Sequence, residues 1–214
     1  MNDSSFVKPD LETLDDTKAG NYFIANYPPF SFWSEKDLPC VESMLASPTP
    51  GLAPLGLYYH VPFCRKRCHF CYFRVYTDKN SSDVSRYMEA TLQELQKYAR
   101  SSYLEGRKPK FIYFGGGTPS YLSAQQLTEL TDRMKSILPW DEAEEVTFEC
   151  EPGTLTEKKV QAIRDFGVTR LSLGIENFSD HILETNGRAH RSDCLLYTSP
   201  SPRDATLSRM PSSA

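Results

Sequence analysis

The sequence of 214 residues contains no uninterrupted apolar run of about eighteen residues, the minimum for a helix that crosses a membrane. Residues 1–5 are polar and no apolar stretch follows them, so the sequence shows no secretory signal. Basic residues do not exceed acidic ones; the net charge is −4, and nothing favours a nucleic-acid surface. These absences predict a protein without a membrane span, an export signal or a nucleic-acid partner.

Cysteine is sparse for a disulfide-stabilised protein, with six residues in a chain of 214. We therefore expect reduced thiols and a cytoplasmic location. Three of the six, Cys64, Cys68 and Cys71, form a C-x3-C-x2-C pattern directly after a short apolar run. Thiolates at this spacing can converge on one centre, and they suit either zinc or an iron–sulfur cluster.

Two kinds of metal site are compatible with the cysteines alone. A closed zinc site would add His60 or His69 as a fourth ligand. A four-iron cluster held by three cysteines would instead leave one iron open to a small molecule. The cysteine spacing does not decide between these alternatives.

Strand and helix patterns alternate from residue 57 onwards. Short apolar runs predict strands at residues 57–61, 110–114, 145–149 and 168–173. Amphipathic patterns after each strand predict helices that begin near Ser81, Ser123, Thr156 and Ser179. Successive strand-then-helix units predict an α/β fold with a parallel sheet and right-handed crossovers.

Every conspicuous polar motif follows a predicted strand. The motifs are the cysteine loop, residues 115–119, Glu149 with Glu151, and residues 174–176. Ligand sites in parallel sheets lie at the carboxyl ends of the strands, so we expect these motifs to share one edge. A solvent-exposed strand end is the alternative interpretation for Glu151.

The glycine run at 115–117, followed by Thr118 and Pro119, is neither a phosphate loop nor a dinucleotide fingerprint. Three glycines after a strand let the backbone approach a ligand closely and present N–H and C=O groups to it. Such groups suit an amino-acid moiety. Taken alone, the run is equally compatible with a simple turn.

The cysteine spacing resembles the signature of the radical S-adenosylmethionine (SAM) superfamily. The flanking residues Tyr58, His60, Val61-Pro62-Phe63 and Phe70 are similar, more narrowly, to the oxygen-independent coproporphyrinogen III oxidase family. The resemblance covers roughly residues 20–190. It implies a partial parallel β/α (TIM-like) barrel of the radical SAM type, truncated after about four βα units.

The resemblance also implies cofactors and the residues that bind them. Cys64, Cys68 and Cys71 would hold a [4Fe–4S] cluster. The residues expected to bind SAM are Tyr58, Phe70, Gly115, Gly116, Gly117, Thr118, Glu149, Glu176 and Arg188. Glu149 would bind the ribose hydroxyls and Arg188 would lie near the carboxylate, while Glu176 stands where the oxidases carry glutamine. The catalytic residues on the substrate side are not identified.

The implied activity is that of a radical SAM oxidoreductase, the oxidative decarboxylation of a tetrapyrrole in porphyrin and haem biosynthesis. A reductant such as flavodoxin or ferredoxin would supply electrons. Phe73 stands where these oxidases often have a fourth cysteine. This departure keeps three alternatives from the same family open: a haem chaperone, a haem-degrading enzyme and a methyltransferase.

Composition predicts three regions along the chain. Residues 1–50 form an N-terminal arm whose aromatic and proline-rich segment, 21–33, would act as a clasp. Residues 51–193 form the incomplete radical SAM core. Residues 194–214 are rich in serine and proline, have no period, and are predicted to be a disordered, non-native tail. The sequence would then be a fragment.

Overall fold

The computed structural model describes residues 32–49, 53–71 and 73–198. Residues 1–31, which make up most of the predicted arm and clasp, and residues 199–214 lie outside the described residues, so those predictions remain predictions. The chain divides into two compact units, Met1–Ser43 and Met44–Ala214. In the first unit, a short turn at Glu35–Asp37 is capped by Ser34, whose side chain accepts a hydrogen bond from the Lys36 N–H.

This division falls inside helix α1 (Leu38–Ala46), and the predicted boundary after residue 50 stays a prediction. The end of α1 belongs to the second unit because the Tyr103 N–H donates to the Leu45 carbonyl oxygen at 3.1 Å.

The remaining elements of the second unit alternate between strands and helices. They are β1 (Leu55–Val61), α2 (Ser81–Ala99), β2 (Pro109–Gly116), α3 (Ala124–Ile137), β3 (Glu145–Cys150), α4 (Glu157–Asp165), β4 (Arg170–Leu173), α5 (Asp180–Thr185) and α6 (Ser192–Thr198). The four strands form one parallel sheet in the order β1-β2-β3-β4. The predicted α/β fold with a parallel sheet is confirmed.

The hydrophobic core lies on one face of this sheet. Side chains of alternate strand residues point into it, and apolar faces of α2, α3 and α4 cover them. Phe114, Phe148 and Phe166 pack with ring centroids 5.5–5.7 Å apart at the centre. The opposite face carries Tyr58 and Phe111, which are exposed. The sheet is therefore covered on one side only within the described residues.

Helix starts follow the capping signals with one correction. Ser123 and Gln126 form the predicted capping box of α3, and Thr156 caps α4. Helix α2, however, is capped by Asn80 and not by a residue of 81–83, because Asn80 and Asp83 satisfy each other's backbone N–H groups. Both strands β2 and β3 run past their predicted ends.

Strand β4 begins at Arg170, two residues later than predicted. The preceding Thr169 uses its hydroxyl oxygen to accept the Val146 N–H at 2.9 Å. The Thr169 N–H donates to the Val146 carbonyl oxygen at 3.0 Å, so one backbone and one side-chain hydrogen bond join the two strands at this point. Helix α5 begins at Asp180, directly after Ser179, near which the helix was predicted to begin.

The buried face of α4 does not follow the apolar residues of its sequence. Ile163 is 2% exposed, but Val160 is 42% exposed and Lys159 is buried in its place. Lys159 Nζ donates to the carbonyl oxygens of Ser120 (2.5 Å) and Thr154 (2.9 Å). Two backbone acceptors compensate the burial of this cation.

Helix α6 includes Cys194–Thr198, residues that the sequence analysis excluded as disordered. Leu195 is 2% exposed, so burial of its apolar side chain stabilises a helix that the local sequence pattern does not predict. Among the helices of residues 32–49, 53–71 and 73–198, none combines the length and the apolar character of a membrane-spanning segment.

The orientation of α4 can be tested by truncation. Ile163→Ala should lower the free energy of unfolding by about 2–5 kcal/mol, because it opens a cavity in the core. Val160→Ala is the matched control and should change it by less than about 0.5 kcal/mol. Urea denaturation measures both. Equal losses for the two variants would contradict this orientation.

Candidate functional site

Polar groups from three strands and the chain after β4 meet at the carboxyl edge of the sheet, as predicted. They surround a cavity of about 360 Å³, a volume within the range of small-molecule sites. Its lining is Gly117, Thr118, Pro119, Glu149, Cys150, Glu151, Ser172, Leu173, Gly174, Glu176 and Arg188. Five residues predicted to bind SAM are in this lining: Gly117, Thr118, Glu149, Glu176 and Arg188.

The glycine run lies directly against the cysteine loop. The Gly117 N–H donates to the Val61 carbonyl oxygen at 2.7 Å. A Cβ atom at Gly117 would lie 2.9 Å from Cys64 Sγ and 3.0 Å from the Phe63 carbonyl oxygen, too close for any other residue. Gly116 has a φ of 116°, a conformation that glycine adopts without strain. The run is therefore a close contact between two backbone segments and not a simple turn.

The cysteine loop is fixed at both of its ends. Cys64 N–H donates to the Tyr76 carbonyl oxygen, and Tyr76 N–H donates to that of Pro62. At the other end, the His69 N–H donates to the Asn186 carbonyl oxygen at 3.0 Å, and His69 Nδ1 lies 2.7 Å from the Thr185 carbonyl oxygen. The loop is thus held between strand β1 and the C-terminus of α5.

Two of the three cysteines receive hydrogen bonds from the lining of the cavity. Thr118 Oγ1 donates to Cys64 Sγ at 3.3 Å, and Arg188 Nη1 donates to Cys68 Sγ at 2.9 Å. Burial raises the pKa of the Cys64 thiol, the Thr118 hydrogen bond opposes that rise, and the neighbouring Cys71 and Cys68 add to it. The three thiols are therefore electrostatic neighbours beside the cavity.

The two candidate histidines are hydrogen-bonded through one ring nitrogen each. Within the described residues, no group of three or more His, Cys, Asp or Glu side chains is arranged to hold a single metal ion, and this applies to the loop cysteines as well as to the histidines. His60 Nδ1 is hydrogen-bonded to the Tyr58 hydroxyl at 2.8 Å, and His69 Nδ1 to the Thr185 carbonyl oxygen.

Cys150 lines the cavity but differs from the three loop cysteines. It is buried, and burial raises the pKa of its thiol to about 12. It lies on β3 and not in the cysteine loop, and its Sγ faces the Phe148 carbonyl oxygen at 4.0 Å. Cys40 is exposed and lies in the first unit.

Glu149 is held by two donors. The Tyr113 hydroxyl donates to Oε1 at 2.5 Å and the Gly116 N–H donates to Oε2 at 3.2 Å. The hydrogen bond to Glu149 raises the pKa of Tyr113 to about 12, and burial contributes to the shift. Tyr58 stacks on Tyr113 with ring centroids 6.0 Å apart. The carboxylate is thus fixed at the rim of the cavity.

The side chains of Arg188 and Glu176 both lie beside Gly174, just beyond the end of β4. Arg188 Nη2 donates to the Gly174 carbonyl oxygen at 2.7 Å, while Arg188 Nε is buried and has no hydrogen-bond partner among the residues that the structure describes. Glu176 has a φ of 64°, which is unusual for a residue other than glycine and costs about 1–3 kcal/mol. Both an orphaned donor and a strained backbone are typical of a ligand site.

The other predicted residues lie near the cavity without lining it. Phe70 is exposed and lines an adjacent cavity of about 240 Å³, which shares Glu176 and Arg188 with the first. Tyr58 contacts His60 and Tyr113, and burial, followed by the charge of Glu149, raises its pKa. Gly116 contacts the site through its backbone N–H, which donates a hydrogen bond to Glu149.

Several positions that support the site were not predicted. Ser120 hydrogen-bonds the Thr154 hydroxyl and accepts the Glu151 N–H, and the buried Lys159 binds the same two loops. The sequence offers no signal for Lys159 because lysines on helices are mostly exposed. Glu151 Oε1 lies 3.5 Å from His190 Nδ1; neither atom has a hydrogen-bond partner within the described residues. Glu151 is thus not a fully solvated strand end.

A larger cavity, of about 820 Å³, lies along α2 and residues 100–102. It is lined by none of the predicted site residues. Size alone therefore does not mark the functional site of this chain.

The sequence model of the Radical SAM superfamily matches residues 58–198, which include the cysteine loop, the glycine run and the whole cavity lining. The chain belongs to the radical SAM superfamily. Proteins of this superfamily use a [4Fe–4S] cluster and S-adenosylmethionine, so the predicted cofactors are confirmed at the level of the family.

Curated relatives of this radical SAM chain carry two functional names. The heme chaperone HemW of Haemophilus influenzae is 33% identical over 145 residues, 67% of this chain and 38% of the relative. HemW of Escherichia coli is 35% identical over 139 residues, 65% and 36% of the two chains. "Coproporphyrinogen III oxidase, anaerobic 1" of Cereibacter sphaeroides is 33% identical over 135 residues, 63% and 30%. The chain thus spans 30–38% of the length of these relatives.

Among solved structures, coproporphyrinogen III oxidase (HemN) of Escherichia coli, described as a radical SAM enzyme, superposes with a TM-score of 0.71 at 26% identity. The match covers 83% of this chain and 40% of the oxidase. It confirms the predicted partial β/α barrel of the radical SAM type.

The residues present fit both family cofactors. Cys64 and Cys68 both receive hydrogen bonds from residues that line the cavity, and Gly117 places no side chain against Cys64 Sγ. Arg188 Nε is a buried donor that has no hydrogen-bond partner within the described residues, and such a donor can bind a carboxylate. Backbone groups of the glycine run and the carboxylate of Glu149 border the same space.

Replacing the cysteines one at a time tests the ligand assignment. Cys64→Ala, Cys68→Ala or Cys71→Ala should abolish cluster assembly, because each removes one of three thiolates. Cys150→Ala and Cys40→Ala are matched controls that should retain it. Iron and sulfide analysis with visible absorbance after anaerobic reconstitution measures the outcome. A full cluster in Cys68→Ala would contradict the assignment.

Proposed function

We propose that this chain binds a [4Fe–4S] cluster through Cys64, Cys68 and Cys71, and SAM in the 360 Å³ cavity, as part of a radical SAM protein that acts on a tetrapyrrole. One observation carries the proposal. Thr118 and Arg188 both line the cavity, and both donate hydrogen bonds to the loop cysteines. The cavity and the cysteine loop are therefore two halves of one site.

Different groups around the cavity would bind different parts of SAM. Arg188 would bind the SAM carboxylate through Nε, the donor that has no partner. The glycine run would present backbone groups to the amino group, and Glu149 would accept hydrogen bonds from the ribose. The fixed position of Glu149, held by Tyr113 and Gly116, suits that role.

When bound together, the cluster and SAM would supply one-electron chemistry that abstracts a hydrogen atom from the substrate. The chain contributes position and electrostatics. Arg188 places a positive charge beside Cys68, and Thr118 orients the Cys64 sulfur. An external one-electron donor, such as flavodoxin or ferredoxin, would reduce the site.

A tetrapyrrole suits the uncovered face of the sheet. Tyr58, Phe111 and Tyr113 form an aromatic row on this face, and Tyr58 and Phe111 are exposed. Aromatic side chains offer large apolar contacts to pyrrole rings. We propose oxidative decarboxylation of coproporphyrinogen III or a similar tetrapyrrole as the first activity. The name and fold of the solved oxidase support it.

Haem binding as a chaperone is the second candidate. Phe73 occupies the position where the resembling oxidases often carry a fourth cysteine. Relatives named as heme chaperones also match this chain at 33–36% identity. In this candidate, the cluster site would be retained while the tetrapyrrole is carried and not decarboxylated.

SAM binding can be tested on Glu149 with a control on the same strand. Glu149→Ala should weaken SAM affinity by about 10- to 100-fold, since a hydrogen bond to a charged group contributes about 1.5–3 kcal/mol. Glu145→Ala is the control; Glu145 bonds Thr147 and Arg170 and does not line the cavity. Equilibrium dialysis of labelled SAM with the anaerobically reconstituted chain measures both. Equal affinities for the two variants would rule out the assigned role of Glu149.

Two assays on the reconstituted chain separate the candidate activities. The oxidase candidate predicts SAM-dependent release of carbon dioxide from coproporphyrinogen III under reducing conditions. The chaperone candidate predicts saturable haem binding, followed spectroscopically, without decarboxylation. If the chain carries a full cluster and neither releases carbon dioxide nor binds haem, the tetrapyrrole part of the proposal is wrong.

A further inference from the structure

We infer that Arg188 and Thr118 set the reduction potential of the cluster, by donating hydrogen bonds to two of its three cysteine sulfurs. This inference rests on the proposed function, because it requires that Cys64 and Cys68 hold the cluster. It assigns to both residues a second role, as positioning residues toward the thiolates, besides lining the SAM cavity.

The contact between Arg188 and Cys68 is built into the fold. Arg188 follows α5, and its Nη2 is anchored on the Gly174 carbonyl oxygen at 2.7 Å, beyond the end of β4. This anchor directs Nη1 to Cys68 Sγ at 2.9 Å. The guanidinium is half-buried, so its charge is less screened than that of a surface arginine.

Thr118 makes the corresponding contact on the other side of the loop. It is buried, and it precedes the short turn Pro119–Tyr121 without capping it by a side-chain hydrogen bond. Its hydroxyl instead donates to Cys64 Sγ at 3.3 Å. The Thr118 hydroxyl therefore bonds the sulfur of Cys64 and does not cap the turn that follows it.

Cys71 has a different environment. Its Sγ faces the carbonyl oxygen of Phe73 at 4.0 Å, and a carbonyl cannot donate to a thiolate. The donors thus act on two sulfurs of the three, on the side of the loop that borders the cavity.

The direction of the effect follows from electrostatics. Reduction adds one electron to the oxidised cluster, [4Fe–4S]2+, and gives [4Fe–4S]+, with more negative charge on the sulfurs. Hydrogen bonds and a nearby positive charge stabilise the more negative state, and hydrogen bonds to cluster sulfurs are known determinants of the potential. Both residues should therefore raise the midpoint potential and ease reduction by a weak one-electron donor.

Redox titration of the reconstituted chain without SAM tests the inference. Dithionite supplies the electron, and the EPR signal of the reduced cluster reports the fraction reduced. Arg188→Met and Thr118→Val should each shift the midpoint to more negative potential. Arg188→Lys keeps the positive charge but loses the two terminal guanidinium nitrogens, so it should shift the midpoint potential less. Arg191→Met should titrate like the unaltered chain, because Arg191 pairs with Glu184 and is exposed.

The outcomes separate this inference from the proposed function. If the unaltered chain assembles no cluster, the proposed function fails. If it assembles one, and Arg188→Met and Thr118→Val both titrate at the unaltered midpoint, only this inference is overturned. Should Arg188→Met fail to hold a cluster, the midpoints of Thr118→Val and Arg188→Lys decide in the same way.

Discussion

The site depends on the absence of a side chain at Gly117. The backbone of this residue bonds Val61 at the end of β1, and its missing Cβ leaves Cys64 Sγ and the Phe63 carbonyl oxygen at contact distance. Any larger residue would force the glycine run away from the cysteine loop. The parallel register brings the ends of β1 and β2 side by side, with Val61 opposite Gly116, and so makes this contact possible.

Polar contacts fix the remaining loops around that junction. Arg65 of the cysteine loop donates to the Gly153 carbonyl oxygen, and Lys159 joins the loops that follow β2 and β3. Because buried polar groups are costly when unpaired, these bonds allow few alternative arrangements. Within the described residues, Arg188 Nε is a buried donor of the cavity lining that has no hydrogen-bond partner, an exception of the kind found at ligand sites.

Local signals in the sequence were sufficient for the fold. Apolar periods and capping signals predicted the parallel sheet, and the cysteine spacing predicted the family. One local detail was missed, because Asn80 and Ser81 are neighbouring residues that can both cap α2. Long-range contacts were not predictable. Lys159 takes a buried position that helical lysines rarely occupy, and the bond between Arg188 and Cys68 spans 120 residues. These two contacts depend on how the loops pack and not on local propensity.

The central claim is that the cysteine loop and the cavity bind their cofactors as one site. Hyperfine spectroscopy of the reduced, reconstituted chain with SAM labelled by nitrogen-15 at its amino group tests it most directly. We expect a coupling between the cluster electron spin and the labelled nitrogen, because the glycine run holds the cavity against the cysteines. A reduced cluster whose spectrum is unchanged by saturating SAM would contradict the claim.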